Sequence, residues 1–192
     1  MEFLTQLWLP ILVAAAFVFV ASSIFHMAIP IHKNDHKKLP GEEEILELMR
    51  AKGVEPGQYM FPNCESMKEW NTPEMKAKWQ QGPVGITRVM TMADFNMGKN
   101  LGLWFVYCVL VGAFAGYAAW HGAGGAGAEY IQVFRIVGAG AFAAYGIACM
   151  VDSIWKGQPW GITAKFVFEG LIYTLLTAGT FAWLWPDVAA AA

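Results

Sequence analysis

The sequence predicts an all-α polytopic membrane protein, a four-transmembrane-helix bundle with a small cytoplasmic α-helical segment between helices 1 and 2. Three observations carry this reading. The 192 residues are 56% hydrophobic and only 15% charged, whereas an average soluble domain has about 25% charged residues. Four apolar runs, over 3–29, 97–120, 128–154 and 162–185, are each long enough to cross a bilayer, which takes about 20 residues at 1.5 Å rise. The basic residues are concentrated in one set of connections. The chain therefore divides into helix 1 (1–30), a polar segment with short helices (31–96) and helices 2–4 (97–192).

The first run begins Met-Glu, without the basic stretch that opens a signal peptide, and reads as a retained helix. Ser22, Ser23 and His26 fall in its final third, and Pro30 closes it. The polar segment opens with IHKNDHKKLP, just outside the membrane. Within it, Gly41 to Lys52 reads as an amphipathic helix. Glutamates fill its first turns and Arg50 and Lys52 its last, both favourable to the helix dipole. Ile45, Leu48 and Met49 make the apolar face. Thr72-Pro73-Glu74 has the form of an N-cap, a proline at the first helical position and an early acid, starting a second helix to about Gln81. Ile86 to Met97 is expected to lie along the membrane surface.

The second run carries a small-residue ridge, Cys108, Gly112, Gly116 and Ala119, of the kind that lets helix backbones approach closely in lipid. The third carries Arg135, Gly138, Phe142, Tyr145, Cys149 and Asp152 at alternating spacings of three and four, a seam for other helices. The fourth places Lys165, Glu169, Tyr173, Thr177 and Thr180 on one side. Short connections, HGAGGAG and WKGQPWG, make spans two to four consecutive neighbours.

Nine of the 13 Lys and Arg residues lie in 31–96, and Lys156 lies in the turn between spans three and four. The positive-inside rule then puts both of these connections in the cytoplasm and both termini outside, as in a bacterial inner membrane.

A formal charge of −2 gives no reason to expect nucleic acid, and the three cysteines make no disulfide framework. No catalytic, nucleotide-binding or zinc motif is present. Three constellations remain. His26, Arg135, Asp152, Lys165 and Glu169 form an intramembrane polar set. It reads first as structural pairing, with Asp152 meeting Lys165, and second as a proton or ion path carried by Glu169 and relayed by His26. His32, His36, Met60, Cys64 and Met67 offer soft metal ligands, with copper as the ion, although methionines more often fill interfaces. Lys33, Lys37 and Lys38 suit anionic lipid headgroups.

The expectation is a non-enzymatic subunit or self-assembling scaffold of a membrane complex, with Cys108, Gly112, Gly116 and Gly138 as its helix-packing positions. Its partners would be lipids, copies of itself or other membrane subunits, and no cofactor is predicted. The alternatives are a small oligomeric ion- or proton-coupled transporter and a metal- or cofactor-linked redox subunit.

Overall fold

A computed structural model describes residues 2–188. The chain forms two compact units, Met1–His36 with Met97–Ala192, and Lys37–Asn96.

The first unit is a bundle of four membrane-spanning helices. Helix α1 (Glu2–Ser23) runs into a single wide π-turn, Ile24–Ala28, and then a tight 3₁₀ turn, Pro30–His32. Helix α5 (Met97–Gly122) forms the second crossing. The third crossing comprises α6 (Tyr130–Tyr145), a 3₁₀ turn (Ile147–Cys149) and α7 (Met150–Lys156). Helix α8 (Trp160–Trp183) is the last. The four candidate spans are 24 to 27 residues long, enough to cross about 30 Å of hydrocarbon. Helix α1 packs on α5 and α8, and α6 packs on the same two, so the four close into a ring.

The core has two levels. Near the chain termini, Leu7, Ile11, Ala14, Ala115, Ala119, Val133, Val137 and Phe181 form an apolar cluster. Toward the other end, Val18, Cys108, Val111 and Ala141 surround Tyr145 and Tyr173. The small residues are used inside the chain. Gly112 faces Ile11, a methyl on Gly116 would stand 2.8 Å from the ring of Phe181, and Gly138 lies against Ala178. Residues such as Phe17, Val20, Phe114, Leu171 and Leu175 are exposed, as a lipid-facing surface requires.

The third crossing is interrupted where the sequence suggests one continuous helix. The cause lies on α8. A Cβ on Gly170 would stand 2.5 Å from the carbonyl oxygen of Tyr145 and 2.7 Å from the Cα of Gly146. Backbone meets backbone there, so only glycine fits at Gly170.

The second unit holds α2 (Glu42–Ala51), α3 (Met67–Trp70) and α4 (Pro73–Gln81). Thr72 caps α4 by accepting the Met75 N–H. The unit also contains two strands where only helices and irregular chain were expected. Strand β1 (Gly57–Phe61) pairs antiparallel with β2 (Gly85–Val89), Tyr59 opposite Thr87. Each strand is five residues long, opens on a glycine and has a proline within two residues before it, so the turn-rich starts hid the pairing.

Candidate functional site

Three features of the first unit converge on the end of the bundle near His26. The π-turn closes through Ile29 N–H to the Ile24 carbonyl at 3.0 Å. Such single wide turns re-aim side chains and recur at functional sites; here it carries His26. The 3₁₀ turn after it folds the chain back over the start of α8 and delivers His32 and Asp35. On α8, Lys165, Glu169 and Tyr173 follow at intervals of four, which stacks them along one face.

Glu169 is 1% exposed and lies at the centre of the group. Its Oε2 accepts the Tyr173 hydroxyl at 3.0 Å. Its Oε1 lies 2.5 Å from His32 Nε2. The other nitrogen of His32, Nδ1, lies 2.5 Å from Asp35 Oδ2. Lys165 Nζ donates to Asp35 Oδ1 at 2.5 Å and to the Ile31 carbonyl at 2.8 Å. Phe166 stacks on the His32 ring, centroids 5.0 Å apart at 26°. His26 Nδ1 stands 3.7 Å from Glu169 Oε2, and its side chain is 50% exposed.

The charges explain the electrostatics. Asp35 lies between Lys165 and His32, and His32 lies between Asp35 and Glu169. Burial pulls the His32 pKa down, but its hydrogen bonds to Asp35 and Glu169 outweigh that, and the value is raised above the usual 6.5. Asp35 is held below the ordinary carboxylate value, first by the Lys165 hydrogen bond and then by His32.

The polar network has an inner limit. The Tyr145 ring meets that of Tyr173 edge-on, centroids 5.8 Å apart. Thr174, Thr177 and Thr180 donate to the carbonyls of Gly170, Tyr173 and Leu176, four residues back along their own helix. Beyond that level the described core is the apolar cluster around Phe181.

Of the intramembrane set, His26, Lys165 and Glu169 come together. Asp152 does not meet Lys165. It pairs with Lys156 at 2.5 Å, one turn along α7, while Lys165 turns to Asp35. Arg135 is exposed on α6 and has no ion-pair partner among the described residues. His32 spends both ring nitrogens at the Glu169 site, and His36 is exposed. Met60, Cys64 and Met67 belong to the other unit, on β1, in the loop after it and at the start of α3. Lys33, Lys37 and Lys38 are exposed, Lys38 standing 3.9 Å from Glu42.

Asp35 and Gly170 are the site residues that sequence reasoning did not single out. Asp35 follows His32 by three, a spacing visible in IHKND, but its meaning depends on the turn at Pro30.

The chain matches no known family model, no curated protein and no solved structure.

Proposed function

We propose that this integral membrane protein is a binding subunit of a membrane complex, with one ligand site open at a single end of its bundle. The observation that carries the reading is the one-sidedness of the polar network. It enters at Lys165 and Asp35, reaches Glu169 and Tyr173, and gives way to apolar packing around Leu7, Val137 and Phe181. A transporter that passed protons or ions through Glu169 would need polar partners beyond that level. The small-residue ridges are occupied within the chain, so an assembly contact would use outward-facing groups such as Arg135. The distribution of lysine and arginine supports a cytoplasmic side for the open end, as in a bacterial inner membrane.

Access tests the reading. In sealed vesicles, with Cys108 and Cys149 replaced by alanine, a membrane-impermeant thiol reagent should label native Cys64 and a His26→Cys variant from the same side only. Labelling of the two from opposite sides, or a proton flux in liposomes abolished by Glu169→Gln, would contradict it.

A further inference from the structure

The contact between His32 and Glu169 sets a chemical requirement. Asp35 is an acceptor, so Nδ1 of His32 carries the hydrogen that faces it. Nε2 then turns a lone pair toward a carboxylate oxygen at 2.5 Å. Two acceptors at that distance repel unless a proton lies between them, and a metal ion can take the proton's place once the two atoms part.

His26 points to the metal ion. Its Nδ1 stands 3.7 Å from Glu169 Oε2, beyond hydrogen-bonding distance, and the π-turn holds its ring centroid 4.7 Å from that of His32. A proton between His32 and Glu169 has no use for a second imidazole placed there. A metal ion has. Two ligands at about 2.1 Å from a tetrahedral ion stand about 3.4 Å apart. Donor atoms of His26, His32 and Glu169 all lie within 4.8 Å of one another. An ion would require the His32–Glu169 contact to open by about 1 Å, a movement that a side chain on the tight turn can make.

The surroundings follow the same logic. Ligating histidines present one nitrogen to the metal and give the other N–H to a carboxylate or carbonyl, which fixes tautomer and ring plane. Asp35 takes that place behind His32, Lys165 holds Asp35, and Phe166 sets the ring plane. Two imidazoles and a carboxylate suit zinc or ferrous iron, and three protein ligands leave a position for water.

We propose that His26, His32 and Glu169 bind one first-row divalent transition-metal ion of the zinc or ferrous-iron class, with Asp35 and Lys165 as residues that position His32. This rests on the one-sided binding site and names its ligand.

The test is equilibrium dialysis of the full-length protein in detergent against Zn²⁺, with Co²⁺ as a visible-spectrum probe. One Zn²⁺ per chain is expected, with no displacement by Ca²⁺, which prefers six to eight oxygen ligands. Glu169→Gln and His26→Ala should each abolish stoichiometric binding. Asp35→Asn should weaken it about 10–100-fold. Because His26 is half exposed, His26→Ala should keep the wild-type melting temperature in the absence of metal, so it decides the matter even if Glu169→Gln fails to fold. Wild-type Zn²⁺ affinity in His26→Ala, or equal competition by Ca²⁺, would overturn the proposal. Zinc binding with two-sided access to residue 26 would leave the metal and remove one-sidedness. One-sided access without zinc binding would do the reverse.

Discussion

The two halves of α8 use polar residues in opposite ways. In the first half, Thr163 meets Ser153 and Gln158, Lys165 meets Asp35, and Glu169 meets His32. Each reaches out of its helix. In the second half, Thr174, Thr177 and Thr180 return their hydroxyls to carbonyls of their own helix. A hydroxyl in lipid can satisfy itself this way, whereas a carboxylate or ammonium group needs a partner from elsewhere. The charged half therefore organises a site, and the hydroxyl half is packing.

Substitutions can break this contrast, the largest effect first. Phe181→Ala empties a fully buried ring position in the packing half and should cost about 3–5 kcal/mol. Unfolding in detergent would show it, while Zn²⁺ affinity of the folded fraction stays at the wild-type level. Gly170→Ala forces a methyl against the Tyr145 backbone and should cost about 1–3 kcal/mol, as overpacking does. Because Gly170 adjoins Glu169, it should also weaken Zn²⁺ binding, which Phe181→Ala should not.

A pH series on the metal-free protein sharpens the same contrast. Asp35 is lowered below 3.8, so its contribution to stability is present above that value and is lost as pH falls through its folded pKa. His32 is raised above 6.5, so its contribution is complete below that value and is lost as pH rises through its folded pKa. Melting temperature should thus peak between the two limits, and Asp35→Asn should remove the acid limb. The smallest effect belongs to Thr177→Val. Its hydroxyl donates to the Tyr173 carbonyl of its own helix, so unfolding should shift by about 1 kcal/mol or less.

Much of the fold was legible because lipid imposes simple demands. Length and apolar composition mark four crossings, and spacings of four put Lys165, Glu169 and Tyr173 on one face of α8. The site was legible only in part. His26, Lys165 and Glu169 announce themselves as polar groups in apolar runs. Asp35 lies in a stretch whose charges look like ordinary topology signals, and only the fold-back at Pro30 turns it inward. The same fold-back takes Lys165 away from Asp152, the partner that proximity along the chain suggested. Gly170 was hidden among 20 glycines, since nothing local distinguishes the one that meets another backbone. The β1–β2 pair was hidden by the 23 residues between its strands.

The most direct measurement is X-ray absorption at the zinc edge of the Zn²⁺-loaded protein. Two imidazole nitrogens at about 2.0–2.1 Å and a light oxygen shell from Glu169 and water at about 2.0–2.2 Å are predicted. A sulfur shell at about 2.3 Å, as Cys64 would give, or a shell without imidazole would contradict a metal held by His26, His32 and Glu169.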